Sequence, residues 1–199
     1  TSYLVIDEFL DNFEELRQAG MRLSYADPDK ATNFPGRNSD RAIQIDQLTD
    51  VVAGLVGERL RPSVGNAHGK FRITRAGDTG LADVHVDNCY WSGILYMRGH
   101  DDPEHGTHFF QHKETGTDRA PIRPEELKTF RAENNPNALK ELMTRDGTNR
   151  DAWVRTGTVP ARENRLLLLR PWLWHTAGPG FGQSIEDGRF IYLLFFDRV

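Results

Sequence analysis

His85 and Asp87 stand one valine apart in the stretch V-H-V-D-N. Alternate side chains of an extended chain share a face, so the imidazole and the carboxylate project side by side. Such a pair can ligate one metal ion, or it can be a plain hydrogen bond on a solvated strand. Two donors leave a metal under-coordinated, so ligation demands a third nitrogen or oxygen on a rigid neighbouring element. Of the other histidines, His68 precedes Gly69 in what reads as a solvated turn, and His100 and His105 fall in the acidic loop G-H-D-D-P-E-H-G, where a second cation would be the functional reading. His108 and His112, on T-H-F-F-Q-H, share a face and are weaker candidates to touch substrate. His175 is the strongest third donor, because an apolar run, L-L-L-L-R-P-W-L-W, delivers it to the turn T-A-G-P-G-F-G. Past that turn Arg189 opens R-F-I-Y-L-L-F-F. A guanidinium heading so apolar a strand needs an anion, whether a protein carboxylate or a ligand's, and its fork suits bidentate contact. Arg72 and Arg75, on the earlier F-R-I-T-R, are reserves for that role, and alternation lets at most one of them face the site.

The elements that must position these groups fall into two textures. Residues 1–68 read as helical support. After a strand at Tyr3–Ile6, D-N-F-E from Asp11 resembles a capping box, and Phe13, Leu16, Gly20 and Leu23 recur at helical spacing. N-F-P-G-R-N-S-D is turn chemistry, after which Leu48, Val51, Val52, Leu55, Val56 and Leu60 mark a second amphipathic helix. From Gly69 the chain becomes a series of short strand-type segments: F-R-I-T-R, A-D-V-H-V-D, S-G-I-L-Y-M, T-H-F-F-Q-H, N-R-L-L-L-L-R and R-F-I-Y-L-L-F-F. This is barrel or sandwich material. The polar stretch from about Lys113 to Ala161 is too long for a hairpin, and with a helix opening at Asn135-Pro136 and closing near Gly147 it reads as a mostly helical lid over one mouth.

Composition narrows the classes of function. The chain has 199 residues, enough for one substantial core, and a single domain over 1–199 is the default. Its 25 Lys and Arg are scattered among 29 Asp and Glu for a net charge of -4, so no basic stripe invites nucleic acid. No apolar run reaches the roughly 20 residues of a membrane span, and the first residues lack the pattern of a leader, which leads to the expectation of a soluble protein. The sole cysteine, Cys89, excludes an intrachain disulfide and suits a reducing cytoplasm; it reads as a packed thiol.

The pattern of His85-x-Asp87, then His175, then Arg189 on the following strand resembles the iron(II) and 2-oxoglutarate dependent dioxygenases over roughly Phe71 to Phe196. The opening Y-L-V-I-D-E-F-L and the F-P-G-R segment are similar to small bacterial members of the prolyl-hydroxylase-like branch. The resemblance implies an α+β, mainly β fold: a double-stranded β-helix, related to jelly rolls and cupin barrels, with N-terminal support helices and a helical lid insertion at about 113–161. It further implies that His85, Asp87 and His175 hold Fe(II), that Arg189 anchors the far carboxylate of 2-oxoglutarate, and that Tyr96, in S-G-I-L-Y-M, hydrogen-bonds the same carboxylate or else simply packs.

The implied reaction consumes dioxygen and 2-oxoglutarate and leaves a hydroxyl group on a substrate C–H, with desaturation or ring closure as variants. Asp87 argues for hydroxylation within the family, since the related halogenases replace this carboxylate. The expected substrate is a small carboxylate-bearing metabolite such as a free or carrier-linked amino acid; Trp153, Arg155, Trp172, Trp174 and the span from Arg119 to Arg123 offer aromatic and cationic surfaces, though most of them read as packing or solvated surface. The alternatives are a non-catalytic metal or 2-oxo-acid binding module and a cupin-like metalloenzyme. The sequence leaves the oligomeric state open.

Overall fold

The structure is a computed structural model that describes residues 2–28, 30, 32–130, 135 and 137–199. Two sheets carry the architecture of the described residues. Among the described residues the large sheet has seven strands, in the order β1 (Tyr3–Ile6), β8 (Arg165–Leu169), β5 (Trp91–Tyr96), β10 (Arg189–Arg198), β4 (Phe71–Thr74) and β2 (Arg37–Asn38), with β3 (Leu60–Pro62) also pairing β10. The small sheet runs β7 (Trp153–Val159), β6 (Thr107–His112), β9 (His175–Ala177). All pairings are antiparallel.

The apolar strands of the large sheet are buried on both faces, which is why they read as continuous runs. Along β10, Phe190, Tyr192, Leu194 and Phe196 point to one core, while Arg189, Ile191, Leu193 and Phe195 line a cavity on the other side. Onto the first face pack α1 (Phe13–Met21) and α2 (Leu48–Val56), through Leu16, Leu48 and Val52, with Leu23 just past the first helix. Gly20 lets the first helix close in, since a Cβ there would lie 2.6 Å from the Phe71 ring. The second face, with Tyr96, Leu167, Leu169 and Ile191, meets Phe109 and Leu173 from the small-sheet side.

Several local expectations fail for identifiable reasons. Asn12, not Asp11, caps α1, and its side chain makes no capping bond; Glu14 instead accepts from Arg17 and Gln18, so no capping box forms. The second helix stops at Gly57, whose φ of +70° ends it in a left-handed turn, and Leu60 begins β3. A-D-V-H-V-D forms no strand beyond a single bridge of His85 to His175. The polar insertion contains 3-10 turns at Pro124–Phe130 and Arg150–Ala152 and α3 (Ala138–Asp146); Pro136, where the sequence opens that helix, lies outside the described residues. Its last part, W-V-R-T-G-T-V, is β7, paired along β6. Nor does α3 cover the mouth: Leu142 packs with Trp153, Trp174 and Phe110 in a third core, and of the insertion's described residues only Thr148 and Arg150 reach the cavity.

Candidate active site

The irregular segment that carries His85 and Asp87 is fixed by its neighbours. Val84 N–H donates to Gly147 O at 2.9 Å, His85 N–H to His175 O at 2.9 Å, His175 N–H back to His85 O at 3.2 Å, and Asp87 N–H to Pro171 O at 3.0 Å. Thr176 Oγ1 adds a side-chain bond to Asp83 Oδ1 at 2.9 Å. Two stretches about ninety residues apart in sequence are thereby held in register. One donor atom from each of His85, Asp87 and His175 falls within 4.8 Å of the others. His85 Nε2 lies 3.7 Å from Asp87 Oδ1, and His175 Nε2 lies 3.4 Å from Asp87 Oδ2.

Both imidazoles are oriented by the same device. His85 Nδ1 sits 2.8 Å from Asp83 O and His175 Nδ1 sits 2.8 Å from Leu173 O, each the carbonyl two residues back. A carbonyl can only accept, so each Nδ1 carries the proton, and each Nε2 keeps its lone pair toward the shared centre. Ser92 Oγ donates to Asp87 Oδ2 at 2.6 Å and leaves Oδ1 to the same centre. Burial, with the neighbouring His175 charge, pushes His85 down to about 4. Burial alone would raise Asp87, but contact with His175, the charge of His85 and the Ser92 hydrogen bond hold it well below the usual carboxylate range. Burial also opposes charge on His175, yet the Asp87 carboxylate outweighs it and raises that imidazole. The set is two neutral-capable nitrogens and a firm anion, a donor group suited to a divalent cation of borderline hardness.

The three face a cavity of about 560 Å³. In its wall Arg189 is only 2 % exposed; its Nε donates to His105 O at 3.1 Å, while Nη2 is buried and has no hydrogen-bond partner among the described residues. Tyr96 is fully buried beside it, its hydroxyl 2.6 Å from Thr107 Oγ1 and its ring centre 5.9 Å from the guanidinium carbon. Burial raises the Tyr96 phenol and lowers Arg189. The turn before Arg189 is tied to its neighbours: Gly178 N–H donates to Gly106 O and Ala76 N–H to Gly182 O. Of the two reserve arginines, Arg72 lines the cavity, whereas Arg75 turns away toward Asp27. Burial and the like charge of Arg189 lower Arg72 to about 10.

Other candidates lie elsewhere. His68 is no solvated residue: its Nδ1 lies 2.6 Å from Phe195 O and 3.0 Å from Phe195 N, and burial lowers its pKa. His100 and His105 meet edge to face at 4.1 Å, pack against Phe181 at 4.6 and 5.0 Å, and belong to no group of metal-binding donors among the described residues. His108 is held by Thr158 and Glu104 O, and His112 by Asp146 and Thr115; neither lines the cavity. Cys89 is packed as expected, its Sγ 3.2 Å from Ser92 Oγ and its thiol pushed up to about 12 by burial. The aromatic and cationic residues that the sequence offers as surfaces are packed or paired, as most of them read. Trp153 and Trp174 are buried in the third core, Trp172 packs on Tyr90 and Arg170, Arg119 pairs Glu126, and Arg155 pairs Glu104.

In their place the mouth is lined by Phe34, Pro35, Asp83 and Arg150. Phe34 lies 4.4 Å from the His85 ring, presented by a turn that needs Gly36 at φ +92°, where a Cβ would fall 2.2 Å from Ile73 O. Arg150 pairs Asp83 and closes that edge. Sequence patterns signal none of these except F-P-G-R, whose turn chemistry marks a loop without saying what it borders.

A family model matches residues 1–179. The chain belongs to DUF6445, a family of unknown function. No curated protein matches it. Among solved structures, HygX from Streptomyces hygroscopicus with nickel and 2-oxoglutarate bound superposes at TM-score 0.58 and 17% identity, covering 100% of this chain and 84% of that one. A prolyl-4-hydroxylase from Pseudomonas putida gives 0.51 at 13% identity, covering 100% and 93%. The α-ketoglutarate dependent epimerase SnoN of nogalamycin biosynthesis gives 0.51 at 13%, covering 99% and 78%. This DUF6445 chain therefore has the double-stranded β-helix fold of the 2-oxoglutarate oxygenases, expected from its sequence. Arg189 and the rest of β10 lie beyond the span of the family match.

Proposed function

We propose that this protein is an iron(II) and 2-oxoglutarate dependent oxygenase that hydroxylates an unactivated C–H of a small metabolite, such as an amino acid or its derivative. One observation carries the reading. A cluster of two imidazoles and a carboxylate, with both Nε2 lone pairs unclaimed, shares a cavity with a buried guanidinium whose Nη2 has no partner among the described residues. The residues fit the implied groups: His85, Asp87 and His175 would hold the divalent ion, and Arg189 would pair with a carboxylate of the cosubstrate. When bound, iron and 2-oxoglutarate supply the oxidising power, with dioxygen as co-reactant and succinate and carbon dioxide as by-products.

The chain's own work is positioning and exclusion. Asp83 O and Leu173 O hold the two rings in the ligating tautomer, and Ser92 fixes the plane of Asp87. Arg189, steadied by His105 O, receives the cosubstrate's far carboxylate with the Tyr96 and Thr107 hydroxyls alongside. Ile94, Ile191 and Leu193 form an apolar wall that keeps water from the reacting centre. Cys89 as sole cysteine suits a reducing compartment, and we place the reaction in the cytoplasm, with 1–199 acting as one catalytic unit. The test is anaerobic addition of ferrous iron and 2-oxoglutarate, read by the weak visible charge-transfer band of the chelated cosubstrate. The band is expected in the wild type and lost in His175→Ala and Arg189→Ala; its absence from folded wild-type protein would refute the assignment.

A further inference from the structure

The cavity contains a second guanidinium that the oxygenase reading does not use. Arg72 lies on β4 opposite Ile191 of β10, and Arg189 lies opposite Thr74, so the two arginines sit on one face, one step of the ladder apart. Arg72 is held from two sides: its Nε donates to Asn38 Oδ1 at 2.7 Å, and its guanidinium carbon lies 5.6 Å over the Phe34 ring, which itself packs on His85. Among the described residues no carboxylate pairs with it, and it lines the same cavity as His85, Asp87 and His175. The other acids of the mouth are committed elsewhere, Asp83 to Arg150 and Asp78 to Arg37.

Charge balance then says what Arg72 faces. With the proposed groups in place, a divalent ion, the Asp87 carboxylate, the 2-oxoglutarate dianion and Arg189 sum to zero. Arg72 alone remains, one positive charge in a poorly solvated wall, a position that favours a single anion. A planar fork held by Asn38 and Phe34 suits a carboxylate met side-on. We propose that Arg72 is the specificity-determining residue that binds the substrate's carboxylate, and that the substrate is a monoanionic carboxylic acid. This rests on the oxygenase reading above.

The test uses the full chain loaded with zinc(II), a redox-inert divalent stand-in, and trifluoroacetate as the carboxylate probe. Calorimetry first measures 2-oxoglutarate binding to wild type and Arg72→Gln. Then, with 2-oxoglutarate saturating, fluorine NMR line width measures trifluoroacetate binding. Wild type is expected to bind the probe, with a fluorine-to-proton Overhauser contact to the Phe34 ring, while Arg72→Gln keeps 2-oxoglutarate and weakens the probe about tenfold, as befits loss of a charge-assisted pair. Arg72→Lys should recover part of the loss. Probe binding unchanged in Arg72→Gln, or a wild type that shows no Phe34 contact, would overturn the anion site while leaving the oxygenase reading intact. If Arg72→Gln loses 2-oxoglutarate instead, Arg72 is the cosubstrate's anchor and the proposal falls. A wild type that takes no 2-oxoglutarate at all fails the underlying reading.

Discussion

Among its described residues the molecule holds two clusters of histidine and acid that pass the same test of proximity. In one, His85, Asp87 and His175 converge; in the other, His112, Glu114 and Asp146 do, and in each the donor atoms lie within 4.8 Å of one another. Their surroundings differ. His112 Nε2 is 3.0 Å from Asp146 Oδ2, Arg145 bonds Asp146 Oδ2 at 2.6 Å and also pairs Glu114, and Trp153 packs over the imidazole at 4.7 Å. Both His112 nitrogens are already engaged, and one arginine pairs both carboxylates. The cluster ties α3 to β6. In the first cluster the backbone claims both Nδ1 atoms and leaves both Nε2 atoms open to a cavity. Donor proximity is common to both; unclaimed lone pairs facing a cavity belong to one.

The largest expected break of this comparison is Asp87→Ala, which should weaken divalent-metal affinity by more than about a hundredfold, measured by calorimetry, because it removes one of the three proposed ligands. His112→Ala should leave that affinity unchanged. Arg189→Gln should raise the Kd for 2-oxoglutarate by roughly ten- to a hundredfold with metal affinity intact, since one charge-assisted bidentate pair is lost. Asp146→Asn should destabilise the fold by about 1–3 kcal/mol in denaturant titration without touching metal binding. Its pH dependence has a fixed sign. The Arg145 hydrogen bond outweighs burial and, with His112, lowers the Asp146 carboxyl from its ordinary 3.8, so its contribution is full above that value and disappears as pH falls through the lowered one. Melting temperatures of wild type and Asp146→Asn should therefore differ near neutrality and converge in acid. Ser92→Ala is the mildest, about tenfold in metal affinity, because it only frees the plane of Asp87.

Much of the frame was legible because it repeats along the chain. Strands such as R-F-I-Y-L-L-F-F and N-R-L-L-L-L-R announce burial on both faces, and α1 and α2 announce one apolar stripe each. The juxtaposition of His85, Asp87, His175 and Arg189 in one cavity was anticipated through the family pattern, since nothing local says that residue 175 meets residue 85. What sequence missed depends on tertiary pairing. Trp153–Val159 alternates too weakly to read as a strand, and is one because β6 offers an edge. Arg72 becomes distinct from Arg75 only through the register with β10. The capping box at Asp11 failed because Glu14 found side-chain partners nearer to hand.

The central claim is that His175 joins His85 and Asp87 at one ion. Anaerobic titration of ferrous iron, with secondary structure monitored in parallel, tests it most directly. The account predicts one ion per wild-type chain and none at that affinity in folded His175→Ala; equal binding by the two proteins, or no binding by wild type, would contradict it.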